Sequence, residues 1–303
     1  MWPFGSRRLR VAWQDLEEPI RSELFSLERL EQHAQSLAEA QRITTKRRPD
    51  RRLTRRLRDN NRTLLAAYRA IAAAIREERA ITPAAEWLVD NFHVVEDQIR
   101  ELRDDLPQGF YRQLPKLAAG PLAGYPRVFG LAWAFVAHTD SHFDPQTLCH
   151  YVRAYQRVQP LTIGELWAVP IALRLVLIEN LRRGAERIIS SRAARQEADA
   201  LADRLLGIGG SPSEPAAAAL RPLDGGFLSP AFAMQLVQRL RDQDPKVTPA
   251  LRWLDERLAA QGTTADVIVR EEHQRQVSMN VTVRNIITSM RLISAVDWAE
   301  IFE

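Results

Sequence analysis

The residues with the strongest claim to chemistry are Glu86, Asp90, His93 and Asp97, spaced four, three and four apart. On one helix that spacing puts all four on a single face. Asp90-x-x-His93 has the form of the acid-x-x-His pair that binds iron in helical bundles, but such a site needs a second pair from another helix. The positions three before His33, His138, His142, His150 and His273 are Leu30, Phe135, Thr139, Thr147 and Arg270. The expected role of the quartet is therefore a polar helix face carrying one hydrogen-bonded histidine. A second cluster is His138-Thr-Asp140-Ser-His142-Phe-Asp144. Two histidines four apart with two carboxylates could ligate zinc. An apolar helix is expected to end near His138, however, which breaks the common face. Asp144 before Pro145 reads as a helix cap, so capping and turn roles are expected.

No P-loop, G-x-G-x-x-G or H-E-x-x-H occurs in the sequence. Ser141 beside Asp140 and His142 is not a triad, and Cys149 beside His150 is not a dyad. Neighbours in sequence seldom reach one another as nucleophile, base and orienter. Trp87, Trp133, Trp167, Trp253 and Trp298 could stack on sugars, but tryptophan at helical core spacing is expected to pack. No catalytic, cofactor-binding or metal residue is assigned, and no cofactor is expected in this chain. A site near His93 or His138 is what a self-contained helical enzyme would use.

The charge is uneven. Nine Lys/Arg and two Asp lie between Lys46 and Arg62, against a formal net charge of +4 for the chain. Such a run could meet anionic lipid or nucleic acid, or be a solvated helix face. No aromatic residue interrupts it before Tyr68, so nucleic acid is not the expected partner. An anionic membrane surface, met through Arg51, Arg52, Arg55 and Arg56, is the expected use if the run has one. Met1-Trp-Pro-Phe ahead of Arg7, Arg8 and Arg10 could also touch a membrane interface.

The elements that must position these groups read as helices. Leu, Ala, Arg and Glu abound, with 13 glycines among 303 residues, which favours helix over sheet. A first helix is expected over 22–42 with Leu24, Leu27, Leu30 and Leu37 inward, and a second over 50–80, its LLAAYRAIAAAI half buried on more than one side. Thr82-Pro83, Asp144-Pro145, Ser229-Pro230 and Thr248-Pro249 each place a capping side chain before a proline that has no N–H to leave unpaired. Leu88, Phe92, Val95, Ile99 and Leu102 form a four-three-four-three seam on one third helix that runs to Asp105. Residues 110–125 read as an ordered loop, and Pro126 opens a short apolar helix. Thr162 with Glu165 is a capping box; Pro170 kinks that helix or starts it. Gly262 closes a helix, and Thr264 opens the last long one, to about Ala295. No convincing strand is seen.

The fold class expected is all-α, a multi-helix bundle. Its expected divisions are residues 1–206, with a basic helix and a core segment over 81–183, a Pro/Gly/Ser linker over 207–228, and C-terminal helices over 229–303. One cysteine suits a reducing compartment and excludes an internal disulfide. No apolar h-region of a signal peptide opens the chain, and its most apolar windows, 117–137 and 161–181, contain prolines and charges that a spanning helix would not carry.

Four phrases stand out: ITPAAEWLVDNFHVVEDQIRELRDDLP, YRQLPKLAAGPLAGYPRVFGLAWAFVAHTDSHFD, VQPLTIGELWAVPIALRLVLIENLRR and VRNIITSMRLISAVDWAEIFE. In this order they resemble the amino-terminal region of bacterial cyclic β-1,2-glucan synthases, from about Leu64 to Arg183 and again from Val281 to Glu303. The resemblance implies a large inner-membrane protein that uses UDP-glucose, builds a β-1,2-glucan on itself, trims it by phosphorolysis and closes it into a ring. It places the glucosyltransferase and phosphorylase portions downstream, so no catalytic residue carries over. Tyr68, Tyr111, Tyr125, Tyr151 and Tyr155 have no motif marking them as glucan attachment points. The resemblance implies a non-catalytic module at the cytoplasmic face of the inner membrane. Its partner would be a downstream glucosyltransferase domain or subunit, and DWAEIFE would be cut from a longer chain.

Overall fold

A computed structural model describes residues 17–44, 51–105, 110–208, 215–223, 225–241 and 248–302. The Met1–Phe4 tip and its arginines lie outside these residues, as does Lys46–Asp50 at the start of the basic run. The described chain is overwhelmingly helical. Its helices are α1 (Leu27–Ala40), α2 (Arg51–Arg76), α3 (Pro83–Asp90), α4 (Phe92–Asp104), α5 (Phe110–Gln113), α6 (Arg127–His138) and α7 (Pro145–Gln156). They continue with α8 (Ile163–Leu206), α9 (Ala216–Leu220), α10 (Pro230–Leu240), α11 (Thr248–Ala260), α12 (Ala265–Ala295) and α13 (Trp298–Phe302). No described helix is long and apolar enough to cross a membrane.

Three of the four cap-plus-proline starts are as the capping residues dictate, while Thr248 is already the first residue of α11. Thr82 accepts from the Ala85 N–H, Asp144 from Thr147 and Ser229 from Phe232, each ahead of a proline. The Thr162–Glu165 box is reciprocal: Glu165 accepts from the Thr162 N–H at 3.0 Å and Thr162 from the Glu165 N–H at 3.3 Å. Gly207 and Gly262 follow α8 and α11 with φ of 70° and 75°, the left-handed geometry that ends a helix cheaply only at glycine.

Several expectations need correction. The first helix starts at Leu27, not Ser22, because Ser26 caps it while the chain before it is held extended on α6. Ser22 N–H donates to Ala137 O at 2.9 Å and Phe25 N–H to His138 O at 3.1 Å. Leu24 and Leu27 are consequently exposed, and the buried seam is Leu30, Ala34 and Ala38. The two alanines bring α1 close against α7. In α2, Leu53, Leu57, Leu64 and Ile71 are buried, while Ile75 is exposed and Ala74 takes the inner position. The supposed third helix is two, broken at Asn91, whose side-chain amide donates to the Trp87 carbonyl at 2.9 Å. The buried seam survives the break. Pro170 neither starts α8 nor divides it.

Although the sequence holds no convincing strand, the structure contains a short two-stranded sheet. β1 (Ile43–Thr44) pairs antiparallel with β2 (Lys116–Leu117), with Ile43 opposite Leu117. It is closed on its far side by Leu117 N–H to Tyr125 O and Gly124 N–H to Leu117 O. α6 passes very near it at Gly130, where a Cβ would stand 2.9 Å from Leu117 Cδ1.

The described residues form two compact units, each drawn from more than one stretch of the sequence. The larger holds Glu18–Ala185 with Asn280–Glu303; the other holds Glu186–Met279 with Glu17. The core of the larger unit is built on Leu30, Leu64, Ile71, Leu88, Leu102, Phe129, Phe135, Tyr151 and Tyr155. Each such aliphatic or aromatic side chain contributes about 1.5–3 kcal/mol by leaving water. The smaller unit buries an alanine- and leucine-rich face of α8, including Ala198, Leu201 and Ala202, against Phe232, Leu236, Leu254 and Ile268. The stretch 207–228 lies inside this unit, and Leu220 and Leu228 are part of its core.

Candidate functional site

Glu86, Asp90, His93 and Asp97 are all exposed. The break at Asn91 divides them between α3 and α4, so the single helical face that suggested a ligand set does not exist. Among the described residues, no three His, Cys, Asp or Glu side chains come together as a metal would require.

The 138–144 segment is a structural clasp. His138 stacks on Phe25, centroids 3.9 Å apart, and its Nδ1 lies 2.8 Å from Glu23 O. His33 sits beside it, ring centroids 4.6 Å apart. Burial, helped by the charge of His138, pushes the His33 imidazole below its ordinary pKa. Asp140 and Ser141 both have positive φ, 48° and 62°, a conformation costly for residues other than glycine. Tertiary hydrogen bonds hold them there. Thr282 Oγ1 donates to Asp140 Oδ1 at 2.6 Å, and Asn285 Nδ2 to Asp140 O at 3.0 Å. Ser289 Oγ donates to Ser141 O at 2.7 Å and accepts from Phe143 N–H at 2.9 Å. Ser141 Oγ accepts from Asn180 Nδ2 at 2.9 Å, and Asn180 Oδ1 accepts from Ile20 N–H at 2.6 Å. Ser141 is buried and His142 exposed, so no base faces the hydroxyl from its neighbour in sequence. Asp144 caps α7, and its hydrogen bond from Thr147 lowers the carboxyl pKa.

Two carboxylates on α8 organise the polar interior. Glu165 is 0% exposed and takes a bidentate pair from Arg127, 3% exposed, at 2.6 and 2.8 Å. The remaining Arg127 nitrogen, Nη1, donates to Gln159 Oε1 at 3.0 Å, and Nη2, shared with Glu165, also donates to Pro160 O at 2.7 Å. Glu179 is 1% exposed. It accepts from Arg56 at 2.7 and 2.8 Å, Asn60 at 2.9 Å, Arg182 at 2.8 Å and Arg183 at 3.1 Å. Burial alone would raise its pKa, but the hydrogen bonds and charge of Arg56, then of Arg182, bring it down to about 2. Arg56 also donates to Tyr125 Oη at 3.2 Å. Arg183 lies over the Trp133 ring at 4.9 Å.

The structure therefore divides the arginines expected at a membrane. Arg56 is committed to Glu179, while Arg55 is largely exposed and within 3.7 Å of Asp59. The side chains of Arg51 and Arg52 lie outside the described set. Of the tyrosines, Tyr111, Tyr151 and Tyr155 are buried. Tyr151 donates to Leu131 O and Tyr155 to Gln41 Oε1. Only Tyr68 and Tyr125 are half-exposed.

The sequence marks Glu165 as half of a capping box and gives Glu179 no role of its own. Their signal was present: a lone carboxylate in a run such as WAVPIALRLVLIENL must find a cation inside the fold. Trp167 departs from the packing role expected of it. It does not pack; it is 60% exposed, one turn from Ile163, which is 76% exposed.

No protein-family model matches the chain. The chain is 40% identical over 289 residues to the cyclic beta-(1,2)-glucan synthase NdvB of Rhizobium meliloti (strain 1021), an alignment that takes in 95% of this chain and 10% of that protein. The resemblance read from the four phrases is borne out, and the alignment reaches beyond the two ranges in which they lie, since it takes in 95% of the chain.

Proposed function

We propose that this chain is a non-catalytic helical module of a cyclic β-1,2-glucan synthase, packed against the transferase portion at the cytoplasmic face of the inner membrane. The observation that carries the reading is the extent of the alignment, almost all of this chain against one tenth of the relative. Glucosyl transfer from UDP-glucose is assigned to a partner domain or subunit. The polar interior supports this division of labour. Ser141, Asp140, Glu165 and Glu179, which sequence or burial singles out, are each occupied in holding the fold. A fully paired buried ion pair fixes geometry and offers no proton or lone pair to a substrate. The basic face of α2, with Arg55 exposed, is the side offered to anionic lipid or an acidic neighbour.

Incubating the purified, folded chain with labelled UDP-glucose tests the reading. No label is expected on protein or in free glucan. Label in either place overturns it, and the half-exposed Tyr68 and Tyr125 would then be the first acceptors to replace.

A further inference from the structure

The α7–α8 corner joins three observations that the module reading does not use. Ile163 and Trp167, one turn apart on α8, present a large apolar surface to solvent, and Val158 in the preceding loop is also exposed. Arg153, in the last turn of α7, and Arg157, at its C-cap, are exposed a few residues earlier in the same stretch of chain. From Arg153 to Trp167 the one acidic residue is Glu165, which is buried against Arg127. The exposed charge of this stretch is therefore all positive. Nearby acids are accounted for: Glu31 lies 4.0 Å from Arg157, and Glu101 and Asp105 are both held at 3.3 Å by Arg174, two turns beyond Trp167.

The corner is also rigid by construction. Arg127 grips Gln159 and Pro160 in the loop and Glu165 in the first turn of α8. A buried ion pair is an expensive way to hold a loop, and here it fixes the loop whose outer side is apolar. A preorganised tip loses little entropy on docking.

We propose that this corner inserts Ile163 and Trp167 into the interface of an anionic lipid bilayer, with Arg153 and Arg157 at the headgroups. Tryptophan suits that boundary because its ring is apolar and its N–H can stay hydrated. Arginine keeps its stem among apolar groups and its charge at the phosphates. A second copy of the chain fits poorly. Three side chains offer about 400 Å² or less, whereas a stable dimer needs about 800 Å² from each partner.

The inference rests on the membrane-facing part of the reading above but uses a surface other than α2. The test is flotation of the whole chain with phosphatidylglycerol/phosphatidylcholine vesicles and with phosphatidylcholine alone. Binding is expected to the anionic vesicles, with quenching of tryptophan fluorescence by brominated acyl chains. Ile163→Ser with Trp167→Ser should weaken binding about tenfold or more and remove most of the quenching, with helicity by circular dichroism unchanged. Arg153→Glu with Arg157→Glu should weaken binding by a similar factor. Arg55→Glu with Arg58→Glu, on the basic face of α2, should weaken it less, because that face adds charge but no apolar tip. Loss confined to the Arg55/Arg58 variant would overturn the inference while leaving membrane docking in place. Equal binding to both vesicle types, no binding to either, or full binding by the Ile163/Trp167 variant would each overturn it outright. None of these outcomes bears on whether the chain transfers glucose.

Discussion

The two compact units bury charge in opposite ways. In the unit of Glu18–Ala185 and Asn280–Glu303, Glu165 and Glu179 are enclosed by arginines at hydrogen-bond distance, and their oxygens are also used by Thr162 and Asn60. Among the described residues of Glu186–Met279 the buried carboxylate is Glu272. Its cation, Arg195, stands 4.0 Å away, and its closer hydrogen bond comes from Gln276 at 3.3 Å. Burial raises the Glu272 pKa, and Gln276 and Arg195 offset this only in part. Burial likewise lowers the Arg195 pKa. The lesson is that burial does not decide what a carboxylate contributes; the geometry of its partners does. Charge at hydrogen-bond distance repays desolvation, and charge one ångström further away does not.

Arg127→Met should break that contrast most severely. It leaves Glu165 buried without a cation, which costs about 3–5 kcal/mol. Thermal denaturation should show the largest loss of the set, and adding Glu165→Gln should recover part of it. An Arg127→Met protein as stable as the parent would mean that the pair is not buried as described. Acid should come next. Glu179 is held at about 2, below its ordinary 4.5. Its contribution is complete above pH 4.5 and is lost as pH falls toward 2. The amount is on the order of 3 kcal/mol at 1.36 kcal/mol per unit. Urea midpoints measured down that range should fall steeply in the parent and less in Glu179→Gln, which has already lost this contribution at pH 7.

Glu272→Gln should give the smallest effect, of opposite sign. A carboxyl whose folded pKa is raised stabilises the fold below its unfolded value and loses that contribution as pH rises through the folded one. At pH 7 the charged form is therefore a cost. Glutamine should raise stability by about 1 kcal/mol, within the range of ordinary single substitutions. The gain should vanish below pH 4.5. A loss at pH 7 would show that Arg195 compensates Glu272 better than its 4.0 Å distance suggests.

Much of the fold was legible because local signals are physical. Thr82, Asp144 and Ser229 cap helices since a short side-chain oxygen can reach the orphan N–H groups of a first turn. The Leu88–Leu102 seam is buried since its spacing matches the helical period. The misreadings arose where a distant segment competed with local preference. Ser22–Phe25 gives up helix for hydrogen bonds to the end of α6. Asn91 breaks a periodic helix by turning its side chain back on the preceding turn. Thr44 and Lys116 pair across a long stretch of sequence with no β pattern to announce it.

The candidate chemistry divides the same way. Sequence by itself determined the helical class, most helix starts and the likeness to a glucan synthase, because caps, periodicity and wording are local or linear properties. It also offered His93 and His138 as sites, because spacing is visible in one dimension. Only the tertiary structure decided that His93 lies in solvent, that His138 stacks on Phe25, and that Glu165 and Glu179 are each gripped by an arginine from another helix. Only it turned Trp167 outward. Whether a charge or a ring is satisfied depends on what lies within a few ångströms, and those neighbours are set by packing between segments that the linear order keeps apart.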